Sequence, residues 1–231
     1  MHLAARYFPG GGGAVGGDWY DAFLLPDGRL ALAVGDVAGH GLAAAAAMGQ
    51  FRNALRAYLI DSPEPADALR RLNRLAHQLL PTEMATAIVA VVSPDDRSVT
   101  LAMAGHLPPL LVSVAGSSGS PSSPSSADYV PITRTPALGL AAVSADAESP
   151  SPGDLETVFT MPADATLLFF TDGLIEARGE SIDAGLDRLR TLSLSSDGSA
   201  EGLCDLALSL VGGDDSDAEA DDVAVLAMQI A

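Results

Sequence analysis

Lysine is absent from this 231-residue sequence; all twelve basic residues are arginine, scattered against thirty Asp and Glu. The formal charge of −18 would repel a polyanion, which excludes nucleic acid and an acidic membrane face as partners. The missing lysine also excludes Schiff-base chemistry and any phosphate loop that needs that residue. The one cysteine, Cys204, allows no internal disulfide and points to a reducing compartment. No charged-then-apolar segment marks a signal peptide, and no apolar run reaches membrane-spanning length. The expected setting is therefore the cytoplasm, with no membrane partner.

What is present suits a sizeable core, since 48% of the residues are hydrophobic. A single domain over 1–231 is expected, with flexible Ser/Gly/Pro-rich loops near 116–128 and 141–154. Alternation and short apolar runs predict strands at Leu3–Phe8, Trp19–Leu25, Leu30–Asp36, Met84–Ser93, Val99–Ala104, Leu110–Ala115, Leu155–Met161, Thr166–Thr171 and Val223–Ile230. Helical spacing predicts helices at Leu42–Leu59, Glu64–Leu80, Asp183–Leu192 and Ala200–Val211. Few helices separate successive strands, so antiparallel sheets with helices layered outside fit better than a doubly wound parallel sheet.

The chemistry centres on Leu30–Gly41, LALAVGDVAGHG, where a buried strand ends in Asp36 before a glycine-rich turn. Taken alone, a strand-end aspartate satisfies a turn. Pro26-Asp27-Gly28 reads as a hairpin turn, and that hairpin sets Asp18, at the start of one strand, beside Asp36, at the end of the next. Asp172 again follows an apolar strand and precedes glycine, and Asp221 and Asp222 stand just before the last strand. Carboxylates gathered at one sheet end repel by about 4 kcal/mol per pair at 4 Å and an effective dielectric near 20. Divalent cations resolve that repulsion, and oxygen ligands without His or Cys select Mg²⁺ or Mn²⁺.

The set GGDWYD (16–21), GDVAGHG (35–41), AGHLPP (104–109), FTDGLIEAR (170–178) and DDVAVL (221–226) resembles the PPM-type, type 2C-like, metal-dependent serine/threonine phosphatases. Within them it is most similar to the bacterial SpoIIE/RsbU-like branch, and the motifs run in family order from Ala5 to Ile230. The resemblance implies an α+β fold, a four-layer α/β/β/α sandwich of two mainly antiparallel sheets flanked by helices. It implies two metal ions, Mn²⁺ or Mg²⁺. By that resemblance Asp36 would bridge them and the Val37 carbonyl would help hold one; Asp18 would serve one ion, Asp172 and Asp221 the other, with Asp222 a polar neighbour. Asp21 is a further neighbour of the ligands. The implied reaction is hydrolysis of phosphoserine or phosphothreonine by a metal-activated water. The implied substrate is a phosphorylated anti-sigma-factor antagonist in a sigma-factor regulatory pathway. The alternative is a catalytically inactive, phosphatase-like binding module in the same kind of pathway. Homodimer formation through the helix at Leu42–Leu59 is the self-association to expect.

The chain also departs from the family pattern. Type 2C relatives carry a His two residues after the bridging Asp and an Arg shortly before the first acidic motif. Here His40 lies four residues after Asp36, and Gly10–Gly13 occupy the place of the Arg. His40 is a candidate to protonate the leaving alkoxide, His106 reads as structural, and Arg178 is a candidate substrate contact. The family's domain usually begins further upstream, so a catalytic segment without its sensor domain and a compact natural form both remain open. Two competing readings fail on spacing. Cys204 lacks the Arg six residues on that a tyrosine-phosphatase loop requires, since position 210 is Leu. An EF-hand starting at Asp215 would put Ala220 and Leu226 where Gly and Glu are needed.

Overall fold

The computed structural model describes residues 1–10, 16–80, 83–114, 125–140, 152–177, 179–211 and 221–230. Its strands are β1 (His2–Phe8), β2 (Trp19–Leu24), β3 (Leu30–Val37), β4 (Ala85–Ser93), β5 (Ser98–Ala104), β6 (Leu110–Ser113), β7 (Ser126–Tyr129), β8 (Thr157–Thr160), β9 (Thr166–Phe170) and β10 (Val223–Gln229). Its helices are α1 (Gly41–Asp61), α2 (Pro65–Leu79), α3 (Ile182–Ser193) and α4 (Ala200–Leu208). They form two antiparallel five-stranded sheets, each with its own pair of helices, in an α+β arrangement. The chain divides into two compact units: a central one, Ala14–His106 with Pro131–Thr160, and a terminal one, Met1–Gly13 with Leu107–Val130 and Met161–Ala231. Among the described residues no helix is long and apolar enough to cross a membrane.

The central sheet runs in the order β2-β3-β4-β5-β8. Strand alternation sends Ala31, Ala33 and Val37 to the face that packs on α1 and α2, where they meet Ala44, Ala47, Phe51, Leu55 and Leu59 of α1. The three- and four-residue spacing of that set is one helical stripe, and the small alanines let helix and sheet approach closely. Leu30, Leu32 and Val34 fill the other face of β3 and are also buried, so both faces of this strand are apolar until Asp36. Gly35 has no side chain for a steric reason: a Cβ there would lie 2.3 Å from the Trp19 ring. Glu156, next to β8, accepts the Ala66 amide at 2.9 Å and so caps α2 from a distant part of the sequence.

The terminal sheet runs β1-β10-β9-β6-β7 and joins the first and last strands of the chain along seven residues. Leu168, Phe170, Val223, Val225 and Ala227 pack with Leu189 of α3 and Leu203, Cys204 and Ala207 of α4. Both helices begin on serine caps: Ser181 accepts from the Ala184 amide at 3.3 Å, and Ser199 from the Gly202 amide at 3.0 Å. Arg6 fastens β1 to α4 through Asp205 and Glu201.

The expected elements are present within a few residues, with one added strand. Ser126–Tyr129, whose first three residues fall in the expected 116–128 loop, pair with β6 as β7. Ser-Ala-Asp-Tyr has too weak an alternation to announce a strand; the pairing is set by β6 and by the Tyr129 hydroxyl, which donates to the Leu186 carbonyl at 2.8 Å. The remainder of the expected loops, 116–124 and 141–151, lies outside the described residues, and 152–155 form a short 3-10 turn.

Candidate functional site

In the central unit the β2–β3 ladder ends with Trp19 opposite Gly35. The next step in the register sets Asp18 opposite Asp36, as the hairpin in the sequence predicts. The Val37 amide continues the pairing, donating to the Gly17 carbonyl at 3.2 Å. Asp18 is buried and Asp36 half-buried. Gly17 is hemmed in by oxygen: a Cβ there would lie 2.2 Å from the Val37 carbonyl oxygen and 3.1 Å from Asp36 Oδ1. The absence of that one atom leaves a backbone and a carboxylate oxygen converging on the same spot.

Beyond Val37 the chain turns through Gly39 and Gly41, both in the left-handed region (φ +100° and +81°), into α1. His40 sits between them as the N-cap of α1, exposed, and its side chain makes no cap hydrogen bond.

In the terminal unit, Thr171 fixes the end of β9. Its buried hydroxyl oxygen accepts the Ala224 amide at 2.8 Å, which sets Asp172 on a 3-10 turn, Asp172–Leu174, alongside the segment that enters β10. A Cβ on Gly173 would meet the Asp222 carbonyl at 2.3 Å and the Asp221 Cβ at 3.3 Å, so the two acidic segments approach through a glycine here as well. The members of the Asp221–Asp222 pair do different things. Asp222 is buried and its Oδ1 accepts the Gly10 amide at 2.8 Å. Asp221 is exposed, and its charge reaches Asp172: burial first, and Asp221 second, push the Asp172 carboxyl above its usual range. A cation would relieve that pair.

Glu176, inside the FTDGLIEAR motif, belongs to the same neighbourhood. Its amide donates to the Asp172 carbonyl at 2.9 Å, and burial, then Asp172 and Asp221, raise its carboxyl. The spacing of four residues from Asp172 was the signal available for it. Among the described residues no three His, Cys, Asp or Glu side chains form a group able to hold an ion by themselves. Each unit supplies a carboxylate pair, Asp18 with Asp36 and Asp172 with Asp221. The donors are carboxylates and a peptide carbonyl, all hard oxygens, which suits Mg²⁺ or Mn²⁺.

Asp21 does not join them. It lies on the same face of β2 as Trp19, opposite Ala33, toward the helices. There Arg56 of α1 grips it with two hydrogen bonds, Nε to Oδ2 at 2.9 Å and Nη2 to Oδ1, while the guanidinium lies 4.6 Å over the Phe23 ring. Strand parity therefore assigns Asp21 to holding α1 on the sheet, and not to the ligand neighbourhood. Cys204 is buried with its thiol directed to the Ala4 carbonyl, and burial pushes it up to about 12, far from nucleophilic character. Arg178 lies outside the described residues.

The sequence family described as Stage II sporulation protein E (SpoIIE) matches residues 26–231. Protein IcfG of Synechocystis sp. is 26% identical over 248 residues, covering 93% of this chain and 36% of its own length. The chain thus spans about a third of that curated relative. The structure of the RsbU and RsbW domains of Rv1364c from Mycobacterium tuberculosis matches with a TM-score of 0.79 at 34% identity, over 99% of this chain and 59% of that one. The PP2C phosphatase domain of SpoIIE from Bacillus subtilis, solved with a fragment of its regulatory domain, matches with a TM-score of 0.71 at 18% identity, over 97% and 62%. One further solved structure of the same fold, RsbX, holds magnesium.

Proposed function

Because this chain belongs to the SpoIIE family of PPM-type protein phosphatases, we propose that it hydrolyses phosphoserine or phosphothreonine on a protein with the help of divalent metal. The observation that carries the reading is the oxygen-lined space at Gly17, where the Val37 carbonyl and Asp36 Oδ1 converge. The proposed ligands are Asp18, Asp36 and the Val37 carbonyl in the central unit, and Asp172 and Asp221 in the terminal unit. They would hold Mn²⁺ or Mg²⁺, two ions in all. Bound ions supply a water of lowered pKa and screen the phosphate's charge, which a chain at −18 cannot do alone.

The chain's own residues supply placement. Gly17 lets the Val37 carbonyl stand free of a side chain. Asp222, held to the Gly10 amide, fixes the backbone from which Asp221 projects. His40, exposed at the start of α1, is the group available to pass a proton to the leaving alkoxide. No side chain is required as nucleophile.

The substrate we favour is a phosphorylated anti-sigma-factor antagonist, on the strength of the similarity to the RsbU domain that is joined to an RsbW domain in Rv1364c. The reduced, buried Cys204 suits the cytoplasm. Purified protein with added Mn²⁺ should turn over p-nitrophenyl phosphate and a phosphorylated protein, and Asp36→Asn and Asp172→Asn should lose both activities. No turnover of either substrate by the wild-type chain, with a partner still bound, would overturn the enzymatic reading. Comparing phosphoproteomes with and without the protein identifies the substrate.

A further inference from the structure

Resting on the metal-binding reading above, we propose that His106 is a positioning residue for Asp36 and acts through Thr86. Asp36 and Thr86 are direct partners in the β3–β4 ladder. Their side chains therefore leave the sheet on the same face, with Cβ atoms about 5 Å apart. Thr86 Oγ1 in turn lies 2.8 Å from His106 Nδ1. Of the four histidines in the chain, His106 alone is buried.

The turn that delivers His106 is fixed on several sides. Gly105 sits in the left-handed region at φ +65°, and a Cβ there would lie 2.7 Å from the Ala137 Cβ. Its amide donates to the Thr135 carbonyl at 2.8 Å, and the Thr135 hydroxyl donates to the Met103 carbonyl. Gly105 also bridges to Ala87, the residue after Thr86. Every one of these groups belongs to the central unit.

The chemistry of the pair follows from what each group can donate. With the hydrogen on Nδ1, the imidazole donates to Thr86 Oγ1, and the threonine hydroxyl keeps its own hydrogen for the Asp36 carboxylate. The histidine thereby biases that hydroxyl rotor toward Asp36, its partner across the ladder, and a hydrogen bond from the hydroxyl would hold the carboxylate in one orientation. Groups that orient a metal ligand in this way change metal affinity by about 10- to 100-fold when removed.

Calorimetric titration of Mn²⁺ into the whole chain tests this. Thr86→Val, which keeps the shape and removes the hydroxyl, and His106→Leu should each weaken Mn²⁺ binding about tenfold or more. Thr86→Ser and His106→Asn keep a polar atom in place and should stay within about threefold of wild type, a rescue that a packing role would not give. Thr86→Val binding Mn²⁺ like wild type overturns the proposal, as does Thr86→Ser losing as much as Thr86→Val. If His106→Leu does not fold, the Val/Ser pair at position 86 decides. Failure of wild type to bind Mn²⁺, or equal binding by Asp36→Asn, sinks the metal-binding reading and this proposal with it. Wild-type binding with an indifferent Thr86→Val sinks this proposal alone.

Discussion

Gly17→Ala adds one carbon atom at the point on which the proposed ligands converge. That atom would lie 2.2 Å from the Val37 carbonyl oxygen, against an ordinary contact of at least 3.4 Å. The neighbour is backbone at the end of a paired strand, so it cannot swing aside as a flexible side chain would. Gly17 is outside the left-handed region, and the cost is therefore steric alone. Relief requires a movement of about 1 Å, at a cost of about 1–3 kcal/mol, or roughly 2–12 °C in Tm for a domain of this size. The same movement displaces the Val37 carbonyl and presses on Asp36 Oδ1, and a misplacement of that size in a catalytic site costs about 100-fold in rate. The assay is kcat/KM on p-nitrophenyl phosphate with saturating Mn²⁺, alongside calorimetric Mn²⁺ affinity and a thermal melt. Gly49→Ala is the control, because nothing lies within 4 Å of a Cβ there and the position is inside α1. It should gain up to about 1 kcal/mol with activity intact. Gly17→Ala with wild-type Mn²⁺ affinity and wild-type kcat/KM would refute the reasoning.

Three further outcomes are expected. Asp221→Asn should weaken Mn²⁺ binding with little change in Tm, whereas Asp222→Ala should lower stability by about 1–3 kcal/mol by stranding the Gly10 amide; urea melts and Mn²⁺ titration of the two variants separate the roles. In metal-free protein the raised Asp172 carboxyl favours its neutral form, so its contribution is complete below the unfolded carboxylate value and is lost as pH rises through the raised folded value. Asp172→Asn should therefore melt progressively higher than metal-free wild type as pH climbs through that window, and a difference constant with pH would contradict it. Asp21→Asn should cost stability by weakening the Arg56 grip, about 1–3 kcal/mol, with Mn²⁺ affinity unchanged; a calorimetric loss of affinity would return Asp21 to the ligand neighbourhood.

Much of the central site was legible in the sequence because its geometry is local. Alternation along β3 puts Leu30, Leu32, Val34 and then Asp36 on one face, and a short hairpin turn forces Asp18 opposite Asp36 whatever the rest of the chain does. The apolar stripe of α1 and the serine caps of α3 and α4 are equally short-range, so those elements fall where spacing sets them. Asp21 divides the two kinds of information: three residues from Asp18 on one strand, its parity already sets it on the opposite face, whereas its partner Arg56, 35 positions away, is set only by the packing of α1 on the sheet.

The sequence by itself determined which residues alternate, where strands end in aspartate, and that the available donors are hard oxygens. Only the tertiary structure decided how those donors divide. It seated β10 between β1 and β9, tied Asp222 to Gly10 across 212 positions, and left Asp221 beside Asp172. It also showed why Gly17 and Gly173 are glycine, and it set the buried His106 ring 2.8 Å from the Thr86 hydroxyl. The physical reason is range. Backbone periodicity and turn chemistry act over a few residues, whereas hydrogen-bond partners and close backbone approaches depend on segments that meet only when the sheet is assembled.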